Sequence, residues 1–468
     1  MLKFESRAIE LGLDPMGDEY EYSDEVADGL AYILSYRSEV AIGVEPTGDP
    51  DGNGNGIGVY FSDSGYIIYD TSIAMMAIAA SGHPEIFETD LQDAVDYIAW
   101  AQADPACGVH RGGWRYWGND QCDTDQSNTG YVTLALGYAA AAPPYGFSLT
   151  VPDFVKDELS IWIDVIQDDV DHDPPSGDDG GSWYTPFWSW VNILKTGNLI
   201  YEMALVGDSV DAQRVQDAID YIERHWNDAG AGGTGWKDHR QAMFTMMKGF
   251  EAYGIDEIDL DSDDVAEHDW FDEVSTHLVG TQNADGSWPW DPWGDQILST
   301  AWALLTLEKA VPPVEIPVFV DIKPQSCPNP LNLKSNGVLP VAVLGTEELD
   351  VAEIDPDTVR LSREGVVDEQ GDPVLVPALR YDYEDVATPF EGELCNCHAL
   401  GADGYLDLTL KFDMAELVEK LKLKDVAGQT LPLTLTGNLR GEEAGELGTP
   451  IRGQDCVWVL MEKGPQKP

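Results

Sequence analysis

Positive charge is scarce in this chain: 26 Lys and Arg face 85 Asp and Glu, for a net charge of −59. Phosphate backbones are held by clustered cations, so nucleic acid is excluded as a partner. A shell of carboxylates keeps a protein soluble by self-repulsion, and it fits a halophilic protein or one in a cation-rich extracellular setting. No apolar run reaches the roughly 18 residues of a membrane span, so no transmembrane segment is expected. The start, Met1-Leu2-Lys3-Phe4-Glu5-Ser6-Arg7, lacks the apolar core of a signal peptide. Either the chain is intracellular or its leader is absent from this sequence. Cysteine is sparse too, with Cys107 and Cys122 early and Cys327, Cys395, Cys397 and Cys456 late. This division fits disulfides formed within each part of the chain, and it points to export.

What the chain does have is a repeat. Long amphipathic patterns run over Asp24–Ser38, Leu91–Gln102, Phe154–Ile166, Asp211–Trp226 and Val265–Gln282, with apolar residues at three- and four-residue steps. Each is followed by a more apolar segment rich in small residues: Ser72–Ala80, Asn128–Ala142, Val191–Val206, Gln241–Ala252 and Ile297–Ala310. A helix apolar on most sides is an inner one, and its amphipathic partner an outer one. Gly113-Trp114, Ser182-Trp183, Gly235-Trp236 and Ser287-Trp288 mark the joints, the last three Trp being 53 and 52 residues apart. Hairpins of this size cannot each bury a core alone and must stack. The contrast between inner and outer helices predicts closure into a ring rather than an open solenoid.

After Val311-Pro312-Pro313-Val314-Glu315-Ile316-Pro317 the period changes to two. Strands are predicted at Val318–Ile322, Val338–Val343, Thr358–Leu361, Leu406–Phe412, Leu431–Leu435 and Val457–Leu460, with one short helix at Met414–Leu423. The fold class expected is therefore multidomain α plus β. Residues 1–20 form an extension, 21–310 the helical unit, 311–317 a linker, and 318–464 an antiparallel β-sandwich. Only Trp458 of the fifteen Trp lies in the β part, so the ligand site is expected in the helical one.

The joints resemble a known family. Gln282-Asn283-Ala284-Asp285-Gly286-Ser287-Trp288 is similar to the QW signature of squalene–hopene cyclases and related terpenoid cyclases. Gly112-Gly113-Trp114-Arg115-Tyr116, with Asp125-Gln126-Ser127-Asn128-Thr129-Gly130-Tyr131, resembles the same repeat in protein prenyltransferase β subunits. The resemblance covers about Glu21 to Ala310. It implies an α/α toroid of concentric helices around an apolar, aromatic cavity that holds isoprenoid chains. The segment from Val320 to Asn332 resembles a C-terminal module of microbial exported proteins.

The family's catalytic sets are imperfect here. Asp261-Ser262-Asp263-Asp264 has the spelling of the class II cyclase acid, in which the central Asp, here Asp263, protonates an alkene or epoxide. It sits in an acid run before an outer helix, whereas the family motif opens an inner one. First-turn acids are also explained by helix capping and the helix dipole. Prenyltransferase zinc would fall to Asp120, Cys122 and His239, but His239 opens an inner helix one too far along, and Cys107 is a ready disulfide partner for Cys122. No cofactor is required by this reading.

What remains is a ring of inner-helix starts: Asp70, Asp125, Trp188 with Trp190, Asp238 with His239, and Asp295, joined by Trp117. They are expected to line a mouth that takes a small isoprenoid-like ligand or a glycan. Paired acids beside aromatic platforms also allow polysaccharide binding or hydrolysis, while caps and packing account for the same residues structurally. Asp49, Asp51, Asn53 and Asn55 begin a calcium loop, with oxygen side chains at alternate positions and glycines at the turn. The acid at its twelfth position is absent, since Tyr60 or Ser62 falls there. Cys395-Asn396-Cys397-His398 could join Cys327 and Cys456 in a metal knuckle, but two disulfides use the same four cysteines and suit an exported chain.

Overall fold

Helices without a polar face must be covered on every side, and this requirement orders the first two thirds of the chain. The computed structural model describes residues 1–118, 122–168, 179–230, 232–260, 265–312, 316–335, 337–346, 349–363, 365–367, 373–390, 392, 394–396, 399–440 and 447–461. It is a mixed α and β structure in two compact units, Met1–Val314 and Glu315–Pro468.

In the first unit the helices are α1 (Leu2–Glu10), α2 (Ser23–Leu34), α3 (Ile67–Ala79), α4 (Pro84–Trp100), α5 (Gln126–Ala140) and α6 (Asp153–Ile166). They continue with α7 (Ile193–Val206), α8 (Gln213–His225), α9 (Arg240–Tyr253), α10 (Trp270–Thr281) and α11 (Gln296–Leu307). The small-residue helices pack in series, α3 on α5, α5 on α7, α7 on α9 and α9 on α11. α1 touches both α11 and α3, and Lys3 pairs with Glu308 beside that contact. α4 packs on α3 and α5, α6 and α8 on α7, and α10 on α11. α8 shows how: it buries Val215, Ala218, Ile219 and Ile222 along one stripe and leaves Asp220 on the opposite face exposed.

The helix ends follow from local chemistry. Asp125, Asn192 and Asp295 cap α5, α7 and α11 by accepting first-turn backbone N–H groups. Gly207 and Gly254 end α7 and α9 at φ 91° and 64°, a conformation that costs glycine nothing. Two short ribbons complete the unit. β1 (Arg37–Ala41) pairs antiparallel with β2 (Ile57–Phe61), which packs on α4. β3 (Glu257–Ile258) pairs with β4 (His268–Asp269). The second ribbon takes the residues expected to open α10, which starts at Trp270 instead of Val265. Likewise α2 stops at Leu34, because Arg37 onward is strand.

The second unit holds β5 (Ile316–Pro317), β6 (Val320–Ile322), β7 (Pro330–Leu331), β8 (Val338–Val343), β9 (Ile354–Ser362), β10 (Val376–Pro377) and β11 (Arg380–Glu384). β12 (Asp407–Asp413), α12 (Met414–Lys420), β13 (Thr430–Arg440) and β14 (Leu447–Val459) follow. One sheet has the order β11-β12-β8-β6, and the other β10-β9-β13-β14-β5 with β7 also on β14. Pairing is antiparallel except for β5 and β7, which run parallel to β14. Val341, Leu408, Leu410 and Phe412 of the first sheet share one core with Leu361, Leu433, Leu435 and Val457 of the second. Cys395 is disulfide-bonded to Cys456. Among the described residues, no helix is long and apolar enough to cross a membrane.

Candidate functional site

The joints use one device repeatedly. Trp114 is buried, its Nε1 donates to the Ile98 carbonyl at 2.9 Å, and its backbone N–H meets Thr129 Oγ1 on α5 at 3.2 Å. The N–H groups of Phe61, Ser182 and Trp288 meet Thr71, Thr196 and Thr300 in the same way, at 3.1, 3.1 and 3.0 Å. A glutamine closes three of the joints. Gln282 Nε2 donates to the Gly286 carbonyl at 2.9 Å, Gln102 Nε2 to Gly112 at 2.9 Å, and Gln167 Nε2 to Gly180 at 3.0 Å. Gln102 and Gln167 also reach carbonyls at Val155 and Arg214, which tie one outer helix to the next.

Beside these pins, two runs of aromatic contacts gather near the helix starts. Tyr66 lies 4.8 Å from Tyr116, and Tyr116 stands at 5.9 Å to Trp117. Tyr184 then meets Trp188 at 5.5 Å, Trp188 meets Trp190 at 6.3 Å, and Trp190 meets Trp293 at 6.4 Å. Much of this belt faces solvent: Phe187 is 80% exposed, Trp290 72%, Trp293 62% and Trp188 56%. Lys195 lies beneath it, buried, with Nζ 3.7 Å from the centre of the Trp190 ring.

The acids at these starts differ in what they do. Asp125 is wholly buried, caps α5 through Ser127 and Asn128, and takes Arg115 at 2.6 Å; burial outweighs these partners and raises its pKa. Asp70 accepts from Ser62 and Ser64, both at 2.7 Å. Asp295 caps α11 at 2.9 and 3.0 Å. Asp238 sits at φ 62° and meets His277 Nε2 at 3.2 Å. His239 is buried with Nδ1 3.2 Å from Asp291, off the line a good hydrogen bond needs. Asp291 reaches across to cap α9 at the Arg240 N–H, 2.6 Å away. Burial works against ionisation of Asp291, but His239 and the donated N–H groups prevail and its pKa is lowered. Asp238, Arg240, Thr281, Trp290 and Asp291 line an open pocket of about 580 Å³.

Below the belt the inner helices meet through side chains. Gln126 on α5 donates to both oxygens of Glu202 on α7 at 2.9 Å, and Lys248 on α9 donates to the Gly130 carbonyl at 2.7 Å. Burial raises the Glu202 pKa and lowers that of Lys248, and each partly offsets the shift of the other. Trp302 on α11 donates to Tyr131 on α5.

Of the residues singled out from sequence, Asp70 lies in the first turn of α3, and Trp117, Asp125, Trp188, Trp190, Asp238, His239 and Asp295 lie in the loops or caps just before α5, α7, α9 and α11. Asp261, Asp263 and Asp264 lie outside the described residues, as do Asp120, Cys397 and His398. Cys122 is bonded to Cys107, and Cys327 is also in a disulfide. Asp291, Lys195, Glu202, Lys248, Gln102 and Gln167 were not predicted. The recurrence of Gln at the end of an outer helix would have found the last two. Asp51 receives the N–H groups of Gly54, Asn55 and Gly56, and Asp49 that of Asp51. Among the described residues, no three His, Cys, Asp or Glu side chains are already set as metal ligands. No protein-family model matches the chain, and no curated protein matches it.

Proposed function

We propose that this is an exported or cell-surface binding protein. In this reading the first unit is an α/α toroid of the prenyltransferase and squalene-cyclase repeat type, and the second a β-sandwich. The toroid is supported by the series α3, α5, α7, α9, α11 with α1 between its two ends, and by the repeated Gln, Thr and Trp pins. Export is supported by a disulfide within each unit.

The ligand in this proposal is a glycan, taken at the aromatic mouth without the family's catalysis. One observation carries it: in the row Trp188, Trp190, Trp293 the two outer rings are exposed, and Trp293 follows closely on Asp291 and Trp290 of the open pocket. Flat rings with polar edges at hand suit the apolar faces and hydroxyl rims of sugars. An isoprenoid would need the interior, where Tyr131, Trp302, Gln126, Glu202 and Lys248 already make contact. The test is affinity electrophoresis of the purified chain in a panel of soluble polysaccharides. Retardation by at least one, weakened about tenfold or more by Trp188→Ala or Trp293→Ala, is the expected result. Turnover of squalene, oxidosqualene or a prenyl diphosphate, or no retardation in any polysaccharide, would end this reading.

A further inference from the structure

The loop from Asp49 to Gly56 offers oxygens but lacks the closing acid of a calcium loop. The fold supplies acids from elsewhere. β2 packs on α4, and this sets the loop against Asp93 and Asp96, both buried. Asn53 and Asn55 reach Asp93 Oδ1 through their amides at 2.6 and 2.9 Å, and the Gly52 N–H donates to Asp96 Oδ1 at 3.1 Å. The approach is close, since a Cβ on residue 52 would stand 2.8 Å from Gln92 Nε2 and 3.1 Å from Asp96 Oδ1.

A second observation points to a ligand. Asp96 is 0% exposed, its carboxylate faces the loop through Gly52, and its Oδ2 has no hydrogen-bond partner. Leaving a buried carboxylate oxygen bare costs its desolvation with no return. The hydrogen bonds to this cluster come from backbone and amide N–H groups, and among the described residues no cationic side chain donates to these acids.

We infer that Asp49, Asp51, Asn53, Asp93 and Asp96 form a calcium site that fastens the β1–β2 loop to α4. Calcium accepts six to eight oxygens in irregular arrangements, whereas magnesium demands a near-ideal octahedron. The side chains are not yet set as a ligand group. Turning the Asn53 amide over replaces its N–H with its oxygen toward Asp93, and Asp51 can keep its N–H donors while offering remaining lone pairs.

The experiment uses the full chain, stripped with chelator and held in high salt to screen its bulk charge. Thermal unfolding and calorimetric titration are then followed with calcium or magnesium. A site filled well above its dissociation constant raises Tm by about 5 °C with calcium and not with equal magnesium. Asp96→Asn and Asp51→Asn should abolish that rise, and the exposed-site control Asp211→Asn should keep it. Equal rises with both cations, a rise retained in Asp51→Asn, or no saturable calcium heat would overturn the inference. Should Asp96→Asn fail to fold, Asp51→Asn on the loop decides it alone.

Discussion

Trp302 and Tyr131, 171 residues apart, are joined by an indole N–H donated to a phenol oxygen at 2.9 Å. The Tyr131 ring also lies 4.6 Å from Tyr69. Three inner helices, α3, α5 and α11, thus meet through their own side chains. The large exposed aromatic side chains Phe187, Trp188, Trp290 and Trp293 lie instead in the loops that lead into α7 and α11.

The glutamine pins should differ in strength according to burial. Gln102 is buried and gives its N–H groups to two carbonyls, at Gly112 and Val155, while Gln282 serves one carbonyl near solvent. Removing Gln102 leaves the buried Gly112 carbonyl without its side-chain donor and takes a second donor from Val155 in α6, so Gln102→Ala should cost about 1–3 kcal/mol and Gln282→Ala less than about 1 kcal/mol. Urea unfolding of both variants checks the ranking, and equal losses would mean that the second carbonyl is met by water.

The pair Glu202 and Lys248 is enclosed by α5, α7 and α9. Neutralising one member weakens its own hydrogen bond, to Gln126 or to the Gly130 carbonyl, and removes its through-space attraction for the other, so Glu202→Gln or Lys248→Met alone should lose about 1–3 kcal/mol. The double variant should recover much of that loss, because two charges removed together need no desolvation. A double-mutant cycle measured by denaturation reads the coupling directly.

Glu5 gives the first unit a pH dependence. It is wholly buried with neither carboxyl oxygen partnered, and burial raises its pKa from 4.5 to about 8, with the terminal ammonium opposing weakly. Between those values the unfolded chain releases this proton and the folded chain keeps it, so stability falls as pH rises. The slope is about 1.4 kcal/mol per pH unit for this group. Below the lower value the penalty is absent, and above the upper one it is complete. Glu5→Gln should therefore be indistinguishable from the parent near the lower value and more stable by roughly 3–5 kcal/mol at the upper one. Denaturation of both proteins across the window tests this, and parallel curves would show that water reaches the site.

Much of the helical unit was legible because packing leaves a plain mark. α5 and α7 are built mostly of small and apolar residues that are buried on every side, and a helix surrounded by others reads that way. The ribbons were not legible: Arg37-Ser38-Glu39-Val40-Ala41 is polar enough to pass for a helix end, and β11 is mostly exposed. At the mouth, Trp188 and Trp190 stood out as aromatic residues at a helix start. Asp291 did not, since it caps α9 from a loop 51 residues further on. Glu202 and Lys248 did leave a signal, as lone charges in apolar helices imply a buried partner.

The disulfide Cys107–Cys122 separates two accounts of the same cysteine. It closes a loop with a sequence separation of 15 residues, worth about 3 kcal/mol by the chain-entropy estimate. Inside that loop His110 Nδ1 sits 2.8 Å from Thr124 Oγ1 and 3.1 Å from the Thr124 backbone N–H. Accepting that N–H requires the ring nitrogen to be unprotonated, and burial favours the same state by lowering the His110 pKa. If the bond serves only to hold this loop, Cys107→Ser and Cys122→Ser should lose stability equally, by about 3 kcal/mol each, and match the reduced parent. If Cys122 instead served a zinc ion, Cys122→Ser alone would lower the metal content of the purified protein and Cys107→Ser would leave it unchanged. Elemental analysis beside urea unfolding distinguishes the two, because a thiolate bound to metal and a sulfur bound to sulfur answer differently to the loss of residue 107.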